Sequence, residues 1–149
     1  IHWRDWSSDV CSSDLAGEPP LVATAAWVAT MHDICRYGGQ AQGIGALGVA
    51  TEGIVRPIYQ QILEGVRRAW PRLEPRQYVF FSLHAAVDDE HAQAMRTIAE
   101  ELAEVPEQRR NLVLGMVRAL DSRDNFFNHM LAYLQRLEND EAQLEKEVA

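Results

Sequence analysis

Apolar residues recur at intervals of three and four along most of this chain, the spacing that places them on one side of an α-helix. No alternating apolar and polar run of strand length lies between turn residues. The pattern predicts helices from Pro19-Pro20 to about Tyr37, Gln40 to Trp70, Arg76 to Ala103, and from Pro106 onward. The last helix either continues or breaks near Asp121-Ser122 before a final stretch from Asn125 to about Glu145. Long helices joined by short loops favour an all-α helical bundle.

Glycine and proline residues indicate where the predicted helices end, bend or approach one another. Gly38-Gly39 is expected to end the first helix, because glycine adopts the backbone angles that follow a helix. The second helix carries four glycines, which we expect to let another helix approach closely: Gly43, Gly45, Gly48 and Gly53. Pro57 removes the backbone donor for the Gly53 carbonyl, so a kink just after Glu52 is predicted.

The third helix carries polar residues within its apolar stripe. The stripe is formed by Phe81, Met95, Ile98 and Leu102. The positions that continue it through the middle are His84, Asp88 and His91, which lie within about 60° of one another on a helix. Carboxylates placed in a packing face are normally paired or bound to metal, and two imidazoles with a carboxylate suit a transition metal. Each residue alone could equally be an ordinary hydrogen-bonded core residue.

Glu52 occupies a comparable position on the second helix. It shares a face with Val49, Val55, Tyr59 and other apolar residues, so it too lies where an apolar side chain is expected. Two helices that each insert carboxylates into their packing faces are the way bundle proteins build di-iron sites. Glu52 is therefore the candidate acidic partner of His84, Asp88 and His91.

The motif His-x3-Asp-x2-His on one helix, with a Glu about thirty residues earlier, resembles the haem-oxygenase-like di-iron oxidases and oxygenases. The stretches ATEGIVRPIYQQIL and FFSLHAAVDDEHAQAM also look like this family. The resemblance is closest to the subgroup that contains the chlamydial para-aminobenzoate-forming oxygenase. It covers residues 47–95 well and the other helices only in pattern.

The resemblance implies a haem-oxygenase-like bundle in which Glu52, His84, Asp88 and His91 ligate iron. Two ferrous ions in the intact protein would activate O2 for oxidation of a small organic substrate. Tyr59, one turn beyond the metal face, would then lie behind the ligands or take part in redox chemistry; core packing is its ordinary interpretation. The family also uses a Glu and a His from an earlier helix, and His32 does not match them because it lacks a Glu at the family spacing. His32 and His129 are interpreted as ordinary residues.

The first fifteen residues differ from the rest of the chain. They show no periodicity, and the segment from Asp5 to Leu15 can be back-translated into a common sequencing adapter. We therefore expect residues 1–15 to be an artefact, with a disordered Ser- and Asp-rich tail as the alternative. Residues 16–149 would then form the C-terminal portion of a helical domain, inactive as an oxygenase by itself, with the earlier ligand helix encoded upstream.

Composition and charge limit the kinds of partner that the chain is expected to bind. The net charge of −8, or −6 without residues 1–15, argues against nucleic acid and anionic membrane surfaces. No apolar run approaches the length of a membrane span. Setting aside Cys11, Cys35 stands alone and no internal disulfide can form, which favours a cytoplasmic location. The expected partners are a small molecule and O2, and a homodimer is left open.

Two other classes of function stay open. A metal-free enzyme of the same fold, such as a TenA-type thiaminase or a pyrroloquinoline-quinone synthase, would use cysteine or acid–base chemistry. Such an enzyme would not need Glu52, His84, Asp88 and His91 as a complete set. A non-catalytic helical module that binds a partner protein would hold no metal and would tolerate His91→Ala.

Overall fold

The computed structural model describes residues 20–148, with the side chains of residues 84–90, 145, 147 and 148 outside the description. The described elements are α1 (Val22–Tyr37), α2 (Gly39–Gly43), a π-helical segment (Ile44–Glu52, the π segment), α3 (Gly53–Ala69), a 3-10 turn (Pro75–Tyr78), α4 (Val79–Ala103) and α5 (Pro106–Val148). Within this part of the chain every regular element is helical, which confirms the predicted all-α bundle. The predictions for residues 1–15 and for a helix start at Pro19 lie outside the described residues.

The helices end and begin at the glycine and proline residues that the sequence indicated. The N–H of Gly38 donates to the Ile34 carbonyl at 2.9 Å, and Gly39 adopts a φ of 72°, in the left-handed region that glycine enters without a steric penalty. Pro106 begins α5, where a missing N–H costs nothing. Of the two alternatives for the last helix, the structure has the continuous one, because α5 passes through Asp121-Ser122 without a break.

The second predicted helix is divided by a change in helical hydrogen bonding. Its middle forms the π segment, and α-helical geometry resumes at Gly53, next to the position predicted for a kink. The Thr51 hydroxyl donates to the carbonyl of Ala46, five residues earlier, at 2.8 Å. π-Helical geometry is rare in proteins, and the single-turn π-bulges that interrupt α-helices are frequently found at functional sites. The sequence pattern did not predict this segment.

The π segment lies at the centre of the core and is built from small residues. One buried cluster combines Ile34 of α1 with Ala46 and Ala50 of the π segment and Ala119 of α5. A second cluster joins Ala41, Ala99 and Leu112, with Ile44 and Val49 packed against it. Small side chains let the helices approach closely, so α4 and α5 both contact the same short segment.

Among the described helices, none has both the length and the apolar content that a membrane crossing requires.

Two of the four glycines of the second helix confirm the predicted close approach. A methyl group on Gly45 would collide with the backbone carbonyl of Leu112 in α5, and one on Gly48 would lie 2.6 Å from the Cβ of Met95 in α4. At Gly43 and Gly53 an added Cβ meets none of the described atoms within 4 Å, so the prediction is not confirmed at these two positions. A helix presents only one side to each neighbour, so glycines that are close in sequence need not all meet another helix closely.

Gly45→Ala is expected to lower the free energy of unfolding by about 1–3 kcal/mol, because the obstructing atom is backbone and cannot move aside cheaply. Gly43→Ala is the matched control: it adds the same methyl group to open space and should raise stability by about 0.5–1 kcal/mol through the lower entropy of the unfolded chain. Urea unfolding of both variants measures the difference. Equal changes in the two variants would contradict the packing of α5 on Gly45.

Candidate metal centre

Glu52 is the last residue of the π segment, and its side chain is half-buried. The apolar residues predicted to share its face are themselves turned inward, since Val55 is buried and Tyr59 and Leu63 are half-buried. The prediction that Glu52 lies on a packing face is therefore confirmed. Its carboxylate is carried by a segment that contacts α4 and α5 at once.

Two contacts fix how α4 lies along the π segment and α3. Near one end of the interface Met95 packs on Gly48, and near the other the Phe81 ring meets Tyr59 edge to face, with centroids 5.5 Å apart. The two helical stretches are therefore antiparallel. Glu52 lies between Gly48 and Tyr59 on one of them. The residues His84, Asp88 and His91 lie between Phe81 and Met95 on the other, at the same level of the bundle.

His91 is exposed in the structure, which corrects the prediction that this position of the α4 stripe is buried. The most buried positions of this part of α4 are Ala92 and Ala99, where small side chains let the neighbouring helices approach. His91 precedes Ala92 by one residue, or about 100° around the helix, and so lies at the margin of the interface. Its role as a ligand stays a prediction.

His84 and Asp88 belong to α4 by their backbone, and their side chains lie outside the described residues. Among the side chains that the structure describes, no three His, Cys, Asp or Glu residues come together. Because two of the four predicted ligands are not among them, the predicted ligand set is not tested by this finding.

A cleft of about 230 Å³ opens between the π segment and α4. It is lined by Gly48, Val49, Gly53, Ala92 and Arg96. The cleft lies where the π segment meets α4, and two of its walls are glycines without side chains. It is smaller than the pockets of about 300–1,000 Å³ that usually bury a small molecule.

Tyr59 is half-buried and has aromatic neighbours. Its ring contacts Phe80 at a centroid distance of 5.6 Å as well as Phe81. These contacts support core packing for the ring. The hydroxyl end also lies close enough to Arg123 to act on it electrostatically, so the proposed place of Tyr59 behind the ligands stays open.

Sequence reasoning missed Arg123 of α5. This residue is only 9% exposed, and its guanidinium donates to the Ala50 carbonyl at 3.4 Å and to the Thr51 hydroxyl at 3.1 Å. Burial lowers the pKa of Arg123 from its ordinary value, and the nearby Tyr59 and Glu52 partly oppose that shift. The signal that could have found it is the one that indicated Glu52: a charged residue within an apolar stripe, here that of Met116, Ala119 and Leu120.

The other two described histidines and Cys35 lie at the surface. His32, His129 and Cys35 are exposed, and Nδ1 of His129 lies 2.7 Å from the Asn125 carbonyl one turn earlier in α5. This local contact accords with the interpretation of His129 as an ordinary residue.

Comparison with known proteins supports the same family. The chain matches the sequence profile of the iron-containing redox enzymes over residues 7–124, a range that includes part of residues 1–15, the four predicted ligands and Arg123. A protein named 4-aminobenzoate synthase from Nitrosomonas europaea is 32% identical over 128 residues, which are 85% of this chain and 52% of that protein. The chain thus spans about half the length of this relative. No solved structure matches it.

Proposed function

The chain belongs to the family of iron-containing redox enzymes, as its sequence pattern predicted, and from that premise we propose that it forms part of a non-haem di-iron oxidase or oxygenase. The observation that carries the proposal is the level shared by Glu52 and the His84–His91 stretch of α4, set by the Gly48–Met95 and Tyr59–Phe81 contacts. The carboxylates of Glu52 and Asp88 with the imidazoles of His84 and His91 would together make a donor set that suits iron.

Glu52, His84, Asp88 and His91 would hold the metal from this chain. Two ions need more donors than these four residues supply, and members of the resembled family take a further Glu and His from another helix. We propose that the full-length protein, meaning this chain together with any coding sequence that precedes the codon for Ala16, provides that helix. A helix laid over α4 would also cover His91, which is exposed in this chain.

The iron, when bound, supplies the activation of O2. The chain's own residues provide the surroundings. Glu52 and the α4 ligands would hold the ions in place, and the rings of Tyr59, Phe80 and Phe81 pack against one another at one end of the interface. The buried Arg123 adds a fixed positive charge behind Glu52. A preorganised surrounding of this kind is the protein's contribution to cofactor chemistry.

The substrate is proposed to be a small organic molecule. The relative's name, 4-aminobenzoate synthase, makes the formation of a small aromatic amine the first reaction to assay. A cytoplasmic location and a homodimer stay expectations from the sequence.

The test is iron binding by the full-length protein, loaded anaerobically with Fe²⁺ and freed of excess metal. We expect stoichiometric iron and O2 consumption that stops when a chelator removes the metal. The control is a protein in which Glu52→Gln and His91→Ala are combined, which should retain only background iron. Wild-type protein with no more iron than this control would refute the proposal. Activity that survives complete removal of iron would instead favour the metal-free enzymes of the same fold.

A further inference from the structure

The C-terminal turn of the π segment is held by a side chain from a distant part of the sequence. Nη2 of Arg123 donates to the Thr51 hydroxyl at 3.1 Å, and the same hydroxyl donates to the Ala46 carbonyl at 2.8 Å. The Thr51 hydroxyl therefore acts as acceptor and donor at once, which is the full use of its one proton. The resulting chain of hydrogen bonds runs from α5 through Thr51 to the first half of the π segment.

Arg123 is itself held in place from several directions. Its Nη1 reaches the Ala50 carbonyl at 3.4 Å, and its guanidinium carbon lies 5.7 Å from the centre of the Trp27 ring in α1. A planar guanidinium with neighbours at its edge and over its face has little freedom to reorient. Ala50 and Thr51 are the two residues immediately before Glu52, so this anchor fixes the backbone from which the Glu52 side chain departs.

The hydrogen bonds of Arg123 go to neighbours of Glu52 and not to its carboxylate. Within the described part of the chain the guanidinium is bonded to Ala50 and Thr51, while Glu52 is close enough to raise the pKa of Arg123. A bidentate ion pair with Arg123 would occupy the oxygens that a metal needs. The observed arrangement leaves those oxygens for another partner.

We propose that Arg123, acting through Thr51, is a positioning residue for Glu52 as a metal ligand: the buried Arg123–Thr51–Ala46 hydrogen bonds lock the end of the π segment so that the carboxylate meets the iron in one orientation. This inference rests on the proposed function. It adds to that function a residue of α5 and the hydroxyl of Thr51, neither of which would touch the metal.

The charge of Arg123 and its geometry have opposite effects on metal affinity. A unit positive charge repels a nearby divalent cation, so the charge alone would weaken binding. The fixed geometry should strengthen binding, because groups that orient a ligand are typically worth about 10- to 100-fold in metal affinity. Arg123→Lys separates the two effects, since it keeps the charge and loses the planar pair of donors.

The experiment is an anaerobic Co²⁺ titration of the full-length protein, followed by the visible absorption of the bound ion, which reports ligand geometry. Thr51→Val, which keeps the shape and removes the hydroxyl, and Arg123→Lys should each weaken Co²⁺ binding about 10- to 100-fold and alter the absorption bands. Thr51→Ser, which restores the hydroxyl, should return both toward wild type. Arg118→Lys is the matched control on α5, because Arg118 binds Asp33 and Gln42 instead.

The outcomes separate this inference from the proposed function. Circular dichroism of each metal-free variant establishes whether it is folded. If one of Thr51→Val and Arg123→Lys does not fold, the other is sufficient for the test. Wild-type affinity and absorption in the folded variants, together with loss of Co²⁺ in Glu52→Gln, would overturn the positioning role alone. Failure of the wild type to bind Co²⁺, or full binding by Glu52→Gln, would overturn the proposed role of Glu52 and this inference with it.

Discussion

Replacing Asp88 by Asn in the full-length protein is expected to lower iron affinity by more than about 100-fold, the upper range for groups that only support a ligand, and to abolish iron-dependent O2 consumption. The amide keeps the size of the carboxylate and loses the negative charge that offsets the charge of the metal. Asp88 is central to the three α4 positions, so the loss should affect the whole site. Iron per chain after anaerobic loading, with the rate of O2 uptake, measures both effects.

Asp89→Asn is the matched control for this experiment. It makes the same chemical change one residue further along α4, about 100° around the helix and off the stripe shared by His84, Asp88 and His91. Iron content and O2 uptake should stay at the wild-type level in this variant. Equal losses in both variants would mean that the acidity of this stretch matters and its helical register does not, which contradicts Asp88 as a ligand.

Local signals in the sequence were sufficient to place most helices. Gly38-Gly39 and Pro106 act through their own backbone preferences, and the helix ends are found where those residues predict them. The polar residues within apolar stripes were also readable, because burial of a carboxylate without a partner is costly wherever it occurs. Glu52 was identified in this way, and the structure places it on a packing face.

The π segment could not be predicted in the same way. A change from hydrogen bonds spanning four residues to bonds spanning five leaves the composition of the stretch unaltered and depends on the packing of α4 and α5 around it. The glycines of this stretch were correctly linked to close approach at Gly45 and Gly48. The pattern could not show which glycines approach a neighbour closely, and the predicted close approach is not confirmed at Gly43 and Gly53.

Contacts between residues far apart in the sequence explain two other differences between the prediction and the structure. Arg123 and Thr51 are 72 residues apart, and the reason for a buried arginine becomes visible only when α5 lies against the π segment. The exposure of His91 also depends on which neighbour covers α4, since its stripe is apolar on both sides of the predicted ligands. Helical periodicity gives the direction of a side chain, whereas its burial is decided by the other helices.

Arg123→Met is expected to lower the free energy of unfolding of the metal-free protein by about 2–4 kcal/mol. Methionine fills much of the same space, so the cost arises chiefly from polar groups. The Thr51 hydroxyl and the Ala50 carbonyl lose a charged donor, and the half-buried Glu52 loses its nearby positive charge. The opposing gain is relief of the desolvation of a guanidinium that is only 9% exposed. Replacement of a whole buried ion pair by apolar residues can be stabilising for that reason.

The loss should outweigh this gain because only one partner is removed, which leaves the other polar groups buried without compensation. Arg118→Met provides the comparison on the same helix, since it breaks the more exposed bridge to Asp33 and should cost about 1 kcal/mol or less. Urea unfolding of both variants gives the two values. A free energy of unfolding of Arg123→Met equal to or above that of the wild type would show that the buried charge does not stabilise the folded state. Retention of Arg123 would then need an explanation from metal binding alone, which the Thr51 variants test independently.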